Sequence, residues 1–296
     1  MTERRRRGHP GAGVAFRFIA LVLRPILMSV TRRNWRGGEY IPPPGTGVVV
    51  AANHVSHFDP LTFAHFLWDN GRATRYLAKD SVFRIPVVGR VVSAARQIPV
   101  YRESRDASQA YRAAVSAVND GELVAIYPEG TITRDPDLWP MVGKTGAARV
   151  ALETGRDVVP IAQWGPQHVL APYTKRLRLF PRKTVYVNAG PPVDLSDLRD
   201  QPMTTAVMRD ATDRIVAAIT AELAQIRGEI PPAERFDARA AGLPLIGDPS
   251  DGPVTDDRPV ADDGPVDDGG PAADGESHNE DGGPPTDGTT PGREVP

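Results

Sequence analysis

The segment Asn53-His54-Val55-Ser56-His57-Phe58-Asp59 puts an imidazole and a carboxylate five residues apart, directly behind the apolar run Val48-Val49-Val50-Ala51-Ala52. A neutral imidazole can take the proton of a hydroxyl and make it a nucleophile. A carboxylate on the far ring nitrogen fixes the tautomer and stabilises the imidazolium that forms. The alternative is purely local, with His54 closing a turn and Asp59 capping a helix beside Pro60.

Further residues of the same kind follow. Tyr127-Pro128-Glu129-Gly130-Thr131 comes straight after an apolar stretch. Gly130 permits a tight turn with close ligand approach, and its amides with Thr131 offer donors to an oxyanion or phosphate. Glu129 can accept from a substrate hydroxyl. Arg102, after Gln97-Ile98-Pro99-Val100-Tyr101, presents a forked donor suited to phosphate, and Lys79, after Arg75-Tyr76-Leu77-Ala78, is a second cation. Each of the two has a local alternative, a surface ion pair. Ser56 is near enough to be considered a nucleophile, but a serine at a helix start is usually a cap. His57, His65 and His168 lack ligand-like spacing, so no metal is expected.

The elements that would position these groups can be read from periodicity. Residues 48–50 predict a buried strand, and Pro60 followed by an apolar stretch predicts a helix over 60–69. Strands are expected at 75–79, 97–101, 123–127, 158–164 and 184–188. Helices are expected after Pro86, from Asp106 to Asn119, over 144–154 and over 203–227, the last with the clearest 3.6-residue period. Strands alternating with helices predict an α/β layered domain, with a mixed central sheet flanked by helices. In this reading each candidate residue lies at the carboxyl end of its strand, where open α/β sheets bind ligands.

Composition bounds the rest. The 296 residues carry a formal net charge of −2. Residues 248–296 hold 14 acidic residues against 2 arginines, leaving 33 basic and 23 acidic residues in the body. A basic body suits anionic partners such as a membrane surface or phosphate groups. Nucleic acid is not expected, because no groove-reading helix or aromatic–basic platform is evident. The absence of cysteine excludes disulfides, thiolate metal sites and a cysteine nucleophile.

Three regions are expected. Residues 1–36 join the basic cluster Arg4–Arg7 to an amphipathic, membrane-associating helical segment in which Arg17 and Arg24 share a face and Pro25 should kink or divide the helix. Arg32 and Arg33 then flank it for anionic lipid. The segment is too short and too charged to span a bilayer. Residues 37–232 form the α/β domain. Residues 233–296 form a disordered acidic tail rich in Pro, Gly and Asp, with too few apolar side chains to fold.

The order of these residues resembles a known family. Asn53 to Asp59 is similar to NHxSxxD, the first motif of the glycerophospholipid acyltransferases, best matched to bacterial 1-acylglycerol-3-phosphate acyltransferases. Gln97 to Arg102 resembles the second motif, Tyr127 to Thr131 the third, FPEGTR, and Val159-Pro160-Ile161-Ala162 the fourth. Two positions depart from the pattern: Ile132 stands where the family has arginine, and Arg96 where the second motif begins with glycine. Arg134 or Lys144 could substitute for the arginine. The resemblance implies transfer of a fatty acyl group from acyl-CoA or acyl carrier protein (ACP) to the hydroxyl of a lysophospholipid, without a cofactor. It further implies His54 and Asp59 as a catalytic dyad, with Lys79, Arg102 and Arg134 holding the acceptor phosphate. Peripheral or monotopic work on the cytoplasmic face of the cell membrane follows. Acylation of another lysolipid, a glycolipid or a polyol phosphate is the alternative within the enzymes, and a silent membrane-surface scaffold the alternative outside them.

Overall fold

A computed structural model describes residues 12–100 and 107–244. Helix α1 (Val14–Val30) leads directly into strand β1 (Thr31–Arg36). Then follow β2 (Val48–Ala52), α2 (Asp59–Asp69), β3 (Thr74–Lys79), α3 (Asp80–Phe83), α4 (Val88–Ala94), β4 (Ile98–Val100), α5 (Ala107–Asn119) and β5 (Leu123–Ile126). The chain continues through α6 (Gly146–Thr154), β6 (Val158–Trp164), α7 (Pro166–Val169), β7 (Lys183–Ala189) and α8 (Thr205–Arg227).

The strands form one mixed sheet in the order β1-β7-β6-β2-β5-β3-β4. From β6 through β2, β5 and β3 to β4 all neighbours are parallel; β7 is antiparallel to β6, and β1 is parallel to β7. All five residues of β2 are buried, because a central parallel strand is covered on both faces and has no side left for polar residues. Its side chains still alternate. Val49 and Ala51 enter the core made with α5, α6 and α8, through Ala114, Ala148 and Ile215. Val48, Val50 and Ala52 enter the core on the other face, against Phe63, Phe66 and Leu67 of α2. Val50 lies opposite both Ala125 of β5 and Val159 of β6, so β2 sits at the middle of the sheet. Its carboxyl end is where His54 follows.

Three expectations are corrected. Pro25 does not divide the helix: it lies inside α1, which runs from Val14 to Val30. Leu21 and Pro25 are on an exposed face, where water can satisfy the carbonyl that the proline leaves without an amide. Arg24, of the face shared with Arg17, and Arg33, of the flank meant for lipid, are both paired with Asp69: Arg24 Nε donates to Asp69 Oδ1 at 2.9 Å and Arg33 Nη1 to Asp69 Oδ2 at 2.6 Å. Phe16 stacks on Trp68 at 5.5 Å, so α1 is docked on α2 by both charge and ring contact. Finally, order does not fade at residue 232. Val142 N donates to Phe236 O at 3.0 Å, Ala238 is buried, and Arg235 pairs with Asp213. The rest of the expected tail, 245–296, lies outside the described residues, as do Arg4–Arg7 and Asp106.

Candidate active site

His54 and Asp59 meet. His54 Nδ1 is 2.9 Å from Asp59 Oδ2, and the same oxygen accepts from the amides of Val55 at 2.6 Å and Ser56 at 2.9 Å. Asp59 opens α2 with Pro60 behind it, where proline costs no hydrogen bond and the helix N-terminus favours negative charge. The carboxylate is fully buried, whereas the imidazole remains 14% exposed. A carboxylate only accepts, so the contact selects the tautomer with its proton on Nδ1 and leaves Nε2 as the acceptor. Ser56 is spent locally: its Oγ donates to Leu170 O at 2.6 Å and accepts from Phe58 N at 3.0 Å.

The turn after β5 is tied to the turn after β2. Glu129 accepts from His54 N through Oε1 at 3.0 Å and from Met141 N through Oε2 at 3.2 Å, while Thr133 N donates to His54 O at 2.8 Å. Glu129 is only 3% exposed, and burial pushes its carboxyl up to about 8, against the pull of these amides. Both oxygens are engaged by the backbone, rather than held open for a substrate hydroxyl. Gly130 is exposed at φ +68, and a Cβ there would come within 3.0 Å of Lys144 Nζ. Thr131 is half-buried beside it.

Two supports of the dyad were not foreseen. Tyr127 stacks on the His54 ring at 4.2 Å and 20°, and Tyr76 stacks on Tyr127 at 6.3 Å and 5°. Burial holds both phenols well above their ordinary pKa, so the stack stays neutral. Gln163 of β6 forms a reciprocal clamp with Asn53: Asn53 Nδ2 donates to Gln163 O at 3.0 Å and Gln163 N to Asn53 Oδ1 at 2.7 Å. Gln163 Oε1 also accepts from Thr62 Oγ1 at 3.2 Å, which links the clamp to α2. The only signal in the sequence was a lone amide inside the otherwise apolar Val-Val-Pro-Ile-Ala-Gln-Trp.

The cations are placed unequally. Lys79 closes β3 at its carboxyl end, on the same rim as His54 and Glu129. Arg102 lies outside the described residues. Ile132, at the position of the family's arginine, is buried at 2% exposure. Arg134 is buried with its guanidinium 5.1 Å over the ring of Tyr173. Lys144 is exposed, with its Nζ beside Gly130. Among the described residues, no group of three or more His, Asp or Glu could hold a metal ion.

Comparison with known proteins shows the family. The family model described as Acyltransferase matches residues 32–164, which takes in both turns. The chain is 30% identical over 177 residues to a 1-acyl-sn-glycerol-3-phosphate acyltransferase of Borreliella burgdorferi, covering 59% of this chain and 67% of that one. It is 32% identical over 136 residues to a chloroplastic 1-acyl-sn-glycerol-3-phosphate acyltransferase of Brassica napus, covering 46% of this chain but only 38% of the plant protein. In fold it matches the crystal structure of the 1-acyl-sn-glycerophosphate acyltransferase PlsC of Thermotoga maritima, with TM-score 0.52 and 21% identity over 71% of this chain and 82% of that one. The chain thus belongs to the glycerophospholipid acyltransferase family and is an O-acyltransferase of the 1-acylglycerol-3-phosphate acyltransferase type.

Proposed function

We propose that this protein transfers a fatty acyl group from acyl-CoA or acyl-ACP to the free hydroxyl of a lysophospholipid, 1-acylglycerol-3-phosphate, giving phosphatidic acid. The observation that carries the reading is the 2.9 Å contact of His54 Nδ1 with a buried, amide-held Asp59, which leaves Nε2 as the base. His54 Nε2 takes the acceptor's hydroxyl proton as the oxygen attacks the thioester carbonyl. The new C–O bond forms, the C–S bond breaks, and the proton passes from the imidazolium to the leaving thiolate. Developing oxyanion charge needs amide donors. The amides of His54, Val55 and Ser56 are used inside the protein, which leaves the turn after Glu129, at Thr131 and Ile132, as their source.

The acceptor phosphate is held by Lys79 and by Arg102 of the second motif, with Lys144 in place of the missing arginine. Buried Arg134 shapes the turn rather than meeting the phosphate. The protein works peripherally, on the cytoplasmic face of the cell membrane. No helix among the described residues is long and apolar enough to cross a bilayer. However, α1 leaves Phe18 66% and Leu21 73% exposed on the face turned away from Leu27 and Val30. A helix that packs one apolar side on the domain and keeps another in water suits the headgroup–acyl boundary.

The test is lipid-product mass spectrometry on purified protein given lysophosphatidic acid with acyl-CoA and with acyl-ACP. Phosphatidic acid with equimolar thiol release is expected. Buried Ile132 favours a second reading, in which the acceptor is another lysolipid, a glycolipid or a polyol phosphate. Thiol release with one of those, and none with lysophosphatidic acid, would establish it.

A further inference from the structure

We infer that residues 171–183, the segment between α7 and β7, form a second bilayer contact, one that selects anionic phospholipid. The inference rests on the proposed lipid acceptor and adds to it a lipid charge class and a surface distinct from α1.

The segment is set apart by its charge. No aspartate or glutamate occurs from residue 158 to residue 193, and within it lie Lys175, Arg176, Arg178, Arg182 and Lys183. The ion pairs among the described residues draw on other arginines. Uncompensated cations of one sign attract anionic headgroups, at about 1 kcal/mol per Lys or Arg near the surface. Between these cations stand Leu177, 55% exposed, and Phe180, 74% exposed. Large apolar side chains held in water beside cations whose stems are themselves apolar suit the interfacial layer of a bilayer, where each part finds its own solvent.

The segment is built rather than loose. Leu170 and Leu177 form an antiparallel bridge, and Arg178 N donates to Val169 O at 2.7 Å, which folds it back on itself. It is also joined to α1 and to the catalytic turn. Arg182 Nη2 donates to Met28 O at 2.6 Å and Thr31 O at 2.7 Å, so its guanidinium closes the carboxyl end of α1. Leu179 and Leu170 pack with Leu27 of α1, Phe58 and Val169 in one apolar cluster. Leu170 O accepts from Ser56 Oγ, two residues from the base. Exposed Leu177 and Phe180 set between the cations favour a bilayer, whose interfacial layer takes apolar side chains, over an acidic carrier protein.

The test uses the full chain with vesicles of phosphatidylcholine alone and mixed with phosphatidylglycerol. The variants are Lys175→Glu with Arg176→Glu, and Leu177→Ser with Phe180→Ser. All four positions are exposed, so thermal midpoints should match wild type. The charge pair should weaken binding to the anionic vesicles at least about 25-fold (two cations lost, at roughly fivefold each), and lessen its salt dependence. The apolar pair should weaken binding to both kinds of vesicle. Thiol release with a monomeric short-chain lysophosphatidate in solution should be unchanged in both. Wild-type vesicle affinity in both pairs would overturn the inference. So would a loss confined to turnover with acyl-ACP, which would assign the surface to the carrier. Should the binding losses appear while wild type forms no phosphatidic acid, the acceptor reading fails and the bilayer contact stands.

Discussion

The Glu129 carboxyl receives the backbone amide of His54 at 3.0 Å, so the glutamate of the third motif acts on the proposed base through the main chain. With Thr133 N on His54 O at 2.8 Å, both peptide groups of His54 are fixed by the turn after β5. The imidazole is thus positioned from three sides: by Asp59 at Nδ1, by Tyr127 under the ring and by this backbone strap.

Replacing the base should stop the chemistry and spare the fold. His54→Ala is expected to lower kcat at least about 10²-fold, the usual scale of general-base catalysis. Asp59→Asn should do nearly as much, because a carboxamide can donate to Nδ1 and leave the proton on Nε2. Steady-state thiol release, with circular dichroism as the control on folding, measures both. Near-wild-type turnover in purified His54→Ala would remove the base from its role.

Tyr127 should act through its ring and not its hydroxyl. Tyr127→Phe keeps the 4.2 Å stack and should retain most of kcat. Tyr127→Leu removes the π face that supports an imidazolium, an interaction of about 0.5–2 kcal/mol, and should cost several-fold in kcat with little change in KM. Equal losses in the two variants would mean that the stack contributes nothing specific.

Stability should depend on pH through Glu129. Its carboxyl is raised from 4.5 to about 8 by burial. Between those values the folded protein holds a proton that the unfolded chain has lost, so this group's contribution to stability falls as pH rises, by at most about 1.4 kcal/mol per pH unit. Below about 4.5 both states are protonated and the slope vanishes. Chemical denaturation from pH 5 to 8 should show a fall in wild type that is reduced in Glu129→Gln; parallel curves would contradict the assignment.

Lys144 should report on the acceptor's anion. Lys144→Met is expected to raise KM for lysophosphatidic acid about tenfold or more, the scale of a lost charged hydrogen bond, and to leave KM for a non-phosphorylated acceptor unchanged. Lys144→Arg should restore part of the loss. An equal rise for both acceptors would place Lys144 outside the phosphate site.

The legible part of the molecule was the part written in contiguous turns. His54 and Asp59 are five residues apart on one strand-to-helix connection, so spacing alone could bring them together. The buried strands announced themselves as unbroken apolar runs. What escaped depended on contacts distant in sequence. Gln163 lies 110 residues from Asn53, and a glutamine inside an apolar strand carries no periodic signal. β1 escaped for a different reason. Its residues, Thr-Arg-Arg-Asn-Trp-Arg, are those of an exposed edge, where charge protects against stray pairing and hides the strand from any apolar pattern. The packing of residues 233–244 was masked in the same way, by a polar stretch held mainly through Arg235 and Ala238.

Strand β1 has a practical consequence. Because its Thr31–Arg36 backbone pairs with Lys183 to Asn188 of β7, the leading segment cannot be trimmed to leave a tidy soluble enzyme. Cutting at residue 36 would strip the outermost ladder, bare Val185 and Val187 at a fresh sheet margin and invite filament-like stacking between molecules. Anyone seeking a detergent-free version should instead keep the first strand and recolour the outer surface of α1 with polar side chains.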